Sequence, residues 1–277
     1  MELLTLLKRI NQVEVNMKNA ILAASLFASF AATVHLAHAE EGGKFSLETG
    51  MDYNTGKYGG TQSTNIRYVP VTGKYQGKSW TLKLTVPYLQ ISGPASVISV
   101  INGTGLAGVA GSNAPLTRSG LGDVIAGASH NAYNGGTGGV MVNLTGKIKF
   151  GTASSAQGLG TGKNDYALQA DMYQVTGSLT NFGTFGYKKY GSPVGYKLNN
   201  VFYGTLGASY KFNPETSGGV MLNLGQKTTS TGSFHVEVIA FANHQLDKTW
   251  KVQGYVLKGF TNSVPDFGAG VTLAYLF

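Results

Sequence analysis

Three histidines remain once the first 39 residues are set aside: His130, His235 and His244. Only His235 has an acidic neighbour at short range, Glu237, on the same side of an extended segment. A histidine oriented by a carboxylate is the part of a hydrolytic triad that activates a serine. No further group completes such a constellation, so the pair reads better as a hydrogen bond at the rim of a fold than as a catalytic pair. His130 and His244 fall on the opposite parity near the ends of their segments and read as interface residues. The chain has no cysteine, which excludes disulfides, thiolate metal sites and a cysteine nucleophile. No His, Asp and Glu group has metal-ligand spacing either. "GLGTGK" at 158–163 lacks the Gly-x4-Gly-Lys-Ser/Thr spacing of a phosphate loop and reads as a flexible loop end. Neither catalysis nor a cofactor is therefore expected.

The chemistry that does recur is ionic. Arg67, Lys83, Lys147, Lys149, Lys211 and Lys251 fall on the same face of their segments as Glu48, Asp52, Asp123, Asp165, Asp171 and Glu237. One reading is a salt-bridged lining that supports a wall. The other is a polar track that selects a solute. Lys147 and Lys149 project from one segment and form the first candidate for an anion-attracting element.

The elements that carry these charges alternate with period two, the mark of strands with one apolar and one polar face. "WTLKLTVPYL" sets Trp80, Leu82, Leu84, Val86 and Tyr88 against Thr81, Lys83 and Thr85. "VMVNLTGKIKF" sets Val140, Val142, Leu144, Ile148 and Phe150 against Asn143, Thr145, Lys147 and Lys149. About twelve such segments follow one another, each near the ~9–11 residues of a tilted membrane-crossing strand. Tight joins such as "QGK" and "LDKT" alternate with longer ones at 93–117 and 151–163. The fold class is all-β: a transmembrane up-and-down antiparallel barrel of about twelve strands in the bacterial outer membrane. Closure answers the problem of the final strand, "FGAGVTLAYLF", whose Phe267, Val271, Leu273, Tyr275 and Phe277 need an apolar neighbour. Pro70 predicts a bulge in the second strand, Lys258 a rim position or a bulge, and "FHVEVIAFANH" is apolar on both parities.

Composition agrees. Charged residues are 12% of the chain and glycines number 40, respectively scarce and abundant for a soluble domain. The net charge of +8 is spread along the chain as single lysines rather than as a stripe, which argues against nucleic acid. Residues 1–39 read as an N-terminal extension and signal peptide. Lys18 precedes an apolar run from Ile21 to Leu36, and Ala37-His38-Ala39 is the cleavage site. Met17 is the expected start, and residues 40–277 are the barrel, with 18 basic and 11 acidic residues.

"VPYLQISGP", "SGLGDVIAGASHNAY" and "TGKIKFGTASSAQGLGTGKNDYALQADMYQ", in that order, resemble the family of outer-membrane barrels named for the meta-pathway of phenol degradation. The matching positions are Pro87-Tyr88, Gly120 to Asp123 and Gly160 to Gly162. The resemblance implies a barrel and a transport role for small, often aromatic, compounds. The resulting expectation is a passive outer-membrane channel or facilitator for small solutes. The alternatives are a plugged interaction barrel working through its loops and, third, a barrel enzyme. Expected partners are outer-membrane lipid, the solute, and an assembly machinery that reads Phe277. Residues 93–117 are unusually apolar for a solvated loop and form a candidate constriction. Deletion of 96–112 is expected to raise single-channel conductance in a planar bilayer; unchanged conductance assigns this loop to rim packing.

Overall fold

The computed structural model describes residues 43–94, 98–99, 105–106, 115–136, 139–193, 195 and 197–277. The signal peptide expected at 1–39 and most of the 93–117 loop lie outside these residues. The strands are β1 (Lys44–Gly56), β2 (Thr64–Gln76), β3 (Trp80–Pro94), β4 (Pro115–Leu121, resuming at Ile125–Asn134), β5 (Val140–Lys149), β6 (Asp165–Thr176), β7 (Leu179–Lys189), β8 (Val201–Lys211), β9 (Thr216–Gly225), β10 (His235–Gln245), β11 (Trp250–Gly259) and β12 (Phe267–Leu276). Each pairs antiparallel with its sequence neighbours, and β12 returns to β1 from Ser46↔Leu276 to Thr55↔Phe267. The result is a closed twelve-strand barrel of the bacterial outer membrane. No long apolar helix is present among the described residues.

Alternation decides which side chain meets lipid. Phe45, Leu82, Leu84, Phe185, Leu206 and Val256 stand exposed on the outer surface, where hydrocarbon replaces water. At the rim that holds the chain ends the belt becomes aromatic. Trp80 lies 4.5 Å from His130 between ring centroids, and Tyr275 lies 4.8 Å from both Trp250 and Phe277. Both ends of the barrel domain meet there: the Phe277 amide donates to the Phe45 carbonyl at 2.9 Å. The tight turns share this rim. In one of them the Asp247 carboxylate accepts from the Thr249 hydroxyl and from the Thr249 and Trp250 amides at 2.7–2.8 Å. Those bonds, the Thr249 hydroxyl first, hold its carboxyl below the ordinary aspartate range.

The register corrects two readings and resolves two others. Arg67, expected on the lumen face, is on the outer row, paired with Tyr53 and Gln90, exposed, and bonded to the Gln90 side chain at 2.8 Å. Pro70 makes no bulge: the β1–β2 register is the same above and below it. Extra residues occur instead in β4, at 122–124 and again between Asn131 and Tyr133. Lys258 resolves as an outward rim residue whose ammonium donates to the Asp266 carbonyl at 3.0 Å. In β10 the odd residues His235, Glu237, Ile239 and Phe241 face the lumen, and Val238, Ala240 and Ala242 face lipid.

Inward aromatic rings lie flat against glycines of adjacent strands. Tyr203 crosses Gly186 to donate to Gln169 Oε1 at 2.8 Å, and Tyr255 crosses Gly270 to bond Asp52. Phe182 and Phe241 lean over Gly207 and Gly219 from opposite sides, their centroids 6.3 Å apart. With Met221, Ile239, Tyr255 and Leu257 they form an apolar cluster on the β9–β11 side of the lumen. A Cβ at position 186 would stand 2.5 Å from Tyr203 Cζ. Gly186→Ala is therefore expected to cost about 1–3 kcal/mol, read as a lower urea midpoint for the refolded barrel in lipid. An unchanged midpoint would show that the ring moves freely.

Candidate functional site

Twelve strands enclose more space than the eight whose side chains fill a barrel, and less than the sixteen of an open porin. What lies inside the lumen therefore decides whether it is open or closed. Two constructions lie there: a folded-in loop at the outer rim and a row of lysines along the wall.

The loop after β5 is anchored by Lys149, the last residue of that strand, which is 2% exposed. Its ammonium pairs with Asp123 and, at 3.6 Å, with Asp165, and donates to the Lys163 carbonyl at 2.9 Å. Asp123 also accepts the Ala153 amide at 2.9 Å, and Asp165 accepts the Gly191 amide at 2.9 Å. Thr152 takes the Val124 amide at 2.9 Å. These bonds draw residues 150–164 inward, and Ala153 and Leu159 join Tyr58, Ile66, Tyr68, Leu89 and Ile91 in a buried apolar cluster. The Gly158–Gly162 segment, expected as a flexible loop end, is thus packed: Leu159, Gly160 and Thr161 are buried. Gly158 and Gly162 adopt φ of +66° and +64°, a conformation that side chains disfavour. A Cβ at Gly160 would stand 2.9 Å from Asp123 Oδ2, and one at Gly120 would stand 2.9 Å from Leu159 Cδ1. The short motifs at 87–88, 120–123 and 160–162 therefore meet at one place, because the Gly122 amide also donates to the Pro87 carbonyl at 2.8 Å.

Cross-strand pairing links the lysines. Lys74 faces Lys83, Lys83 faces Gly127, Gly127 faces Lys147, Lys147 faces Ala167, and Ala167 faces Lys188. Strands in a barrel are tilted, so a row along the ladder climbs the wall. This one rises from the inner end of β2 to the outer end of β7. Lys83 and Lys147 look across at β9 and β11, six strands away, where the apolar cluster occupies the opposite wall. Acids accompany the row, and Glu48 and Asp171 both act on Lys83. Glu48 lies 3.9 Å from Lys74, Asp171 acts on Lys147, and Asp165 acts on Lys188. Asp171 is fully buried and accepts from Thr145, Gln169 and Thr184 at 2.6–2.9 Å. Lys211 and Lys251 stand at the inner mouth, the latter beside Lys74, Glu48 and Lys44.

The structure thus separates Lys147 from Lys149, which the sequence pairs: Lys147 lines the lumen, and Lys149 ties down the loop. Lys74 and Lys188 complete the row; they were not among the residues expected in the lumen, although the alternation of Thr184 and Gly186 carries the parity of Lys188. At the outer mouth the Lys188 ammonium lies 4.2 Å from the Tyr190 ring centre. Burial pushes the Tyr190 hydroxyl above its ordinary range, against the pull of a hydrogen bond with Thr228. His235 and Glu237 do face inward, but Thr228 stands 3.4 Å from His235 Nε2, and Glu237 accepts from Asn223 at 3.0 Å. No group of three or more metal-ligating side chains occurs among the described residues.

A family model described as "Putative MetA-pathway of phenol degradation" matches residues 40–277. Among solved structures the chain is similar to an outer membrane channel from Pseudomonas putida F1, with 14% identity, a TM-score of 0.65, and 86% of this chain and 97% of that one covered. It is also similar to the KdgM porin, with 14% identity, a TM-score of 0.52, and coverage of 83% and 98%. At such identities these likenesses establish the shared fold. No curated protein matches the chain.

Removing one partner of a buried ion pair leaves the other charge uncompensated, at about 3–5 kcal/mol. Lys149→Met should therefore release the 150–164 loop, seen as protease cleavage within 154–158 on intact cells and as larger single-channel conductance. Cleavage and conductance that both match the unsubstituted protein would show that the apolar packing holds the loop alone.

Proposed function

The chain belongs to the family described as "Putative MetA-pathway of phenol degradation", and from that premise we propose that it is a narrow outer-membrane channel for passive uptake of small solutes, with a preference for anions. The observation that carries this reading is the climbing row of Lys74, Lys83, Lys147 and Lys188. A charge in the lumen meets low-dielectric walls, so cations on β2, β3, β5 and β7 lower the barrier for an anion along the path. The apolar cluster on β9–β11 fills the other side and confines that path to the basic wall. Small residues at Gly127 and Ala167 leave room between the lysines. Small carboxylates and inorganic anions have the charge and size that suit this wall.

The folded-in loop favours a second reading, a barrel plugged at its outer mouth that works through its loops. Electrical recording separates the two. Residues 40–277 refolded in a planar bilayer under a salt gradient should give small discrete steps with an anion-selective reversal potential. Exchanging Lys83 and Lys147 for glutamate should reverse its sign. An unchanged reversal potential rejects the lysine row as the selective element, and a silent barrel favours the plugged reading.

A further inference from the structure

We propose that the outward wall from β11 to β3 binds a bisphosphorylated, multiply acylated sugar lipid of the outer leaflet, with Arg67 and Lys258 on its phosphates. The site lies outside the lumen and does not depend on what the channel carries. It starts from an asymmetry of charge. Among the described strand residues that face outward, the Asp, Glu, Lys and Arg side chains are Arg67, Lys189 and Lys258 alone. All are basic, exposed and placed at the outer ends of their strands, β2, β7 and β11. A charge against hydrocarbon is costly, so cations without acids at this one level point to a layer that carries negative charge.

Cross-strand pairing groups two of them. Lys258 faces Phe267, Phe267 faces Thr55, and Thr55 faces Asn65. Arg67 is the next outward residue of β2 below Asn65, paired with Tyr53 and Gln90. Three strand steps of ~4.8 Å separate β11 from β2, so the two cations stand about 14 Å apart across the wall. A ladder row climbs in this direction, and the step down β2 returns Arg67 toward the level of Lys258. Phe267 and Tyr53 stand between them. Below, the outward surface is apolar, with Met51, Val256 and Val271 exposed. Above and beside the cations it consists of neutral donors and acceptors: Asn65, Gln90, and Ser92 bonded to Thr117 at 3.0 Å. From the membrane outward the surface thus suits acyl chain, phosphate and sugar in turn. Phe150, Tyr166 and Phe202, at the outer ends of β5, β6 and β8, present exposed rings instead.

The cations are oriented without being neutralised. Arg67 donates one of its five N–H groups to Gln90 Oε1 at 2.8 Å, and Lys258 one of its three to the Asp266 carbonyl at 3.0 Å. Both acceptors are uncharged. No acidic side chain pairs with either cation among the described residues. The nearby Asp266 carboxylate accepts the Lys57 amide at 3.2 Å, and Tyr53 is fixed by donating to Asn65 Oδ1 at 2.9 Å. A planar guanidinium takes two oxygens of one phosphate, and an ammonium holds a second phosphate as a point charge. A two-chain phosphodiester lipid brings one phosphate and no sugar, and so meets only part of this surface.

The test uses the barrel purified from outer membranes and freed of co-purified lipid by detergent exchange. It is titrated with bisphosphorylated lipid A by native mass spectrometry, and in parallel with dephosphorylated lipid A and with phosphatidylglycerol. The expected result is a one-to-one complex with lipid A, tighter than with either other lipid by about tenfold or more and undiminished by inorganic phosphate. R67Q/K258Q should weaken that complex by about tenfold or more, whereas K189Q, on β7 away from the patch, should leave it unchanged. Phosphatidylglycerol that binds as tightly as lipid A overturns the proposal, since the wall then attracts any anionic lipid. Displacement by inorganic phosphate reduces the site to an ion trap and overturns it as well. So does an equal loss in K189Q and R67Q/K258Q, which would report net charge alone. Heat-modifiable migration in a gel shows whether each variant is folded. Should R67Q/K258Q not fold, the two forms of lipid A on the unsubstituted barrel decide, and equal affinities overturn the proposal.

Discussion

A barrel wall in hydrocarbon has no solvent to fall back on, so every backbone donor and acceptor must find its partner within the chain. This constraint organises the rest of the molecule. It closes β12 onto β1, fixes the parity of every strand and so decides which side chain meets lipid. It also gives meaning to the places where pairing is incomplete. At Pro70 and Pro87 the missing donors belong to residues that have none, and the freed carbonyls are taken up by the Thr49 hydroxyl and the Gly122 amide. An ordinary residue at either position would add an amide facing the same gap.

The same break brings Asp123 inward, and there the ionic chemistry becomes structural. Lys149 between Asp123 and Asp165 is dry, enclosed and shared among several partners. Such a group gains little from being ionic as far as stability is concerned, but it specifies one arrangement of the loop strongly. Charges of the same kind a few residues away line the lumen and remain half-buried. One element, β5, thus supplies both a fastening and a lining within three residues.

Much of this was legible in the sequence, because period-two alternation survives wherever one face meets lipid. "WTLKLTVPYL" and "VMVNLTGKIKF" disclose their faces without help. Parity, however, reports side and not depth. It grouped Lys147 with Lys149 although only the latter reaches the folded-in loop. Arg67 beside Pro70 has no local pattern that fixes its side; the pairing with Tyr53 and Gln90 puts it outward, and Pro70 sits in step with its neighbours. Glycines at 158 and 162 suggested freedom; here they are the residues that permit a tight turn inward. The row of lysines could not be seen, since it depends on pairings among β2, β3, β4, β5, β6 and β7 that no local pattern contains.

That row also has a hand. From Lys74 on β2 to Lys188 on β7 it spans five of the twelve strand steps, a little under half the circumference. A solute passed from one ammonium to the next cannot move straight down the axis. It turns as it advances, as a nut does on a thread, and the sense of rotation is set by the tilt that all natural strands share. The travelled distance exceeds the thickness of the wall, and an elongated solute keeps one edge toward the lysines throughout. If solutes follow this row, discrimination by shape would arise from the pitch of the path as well as from the folded-in loop at the outer mouth.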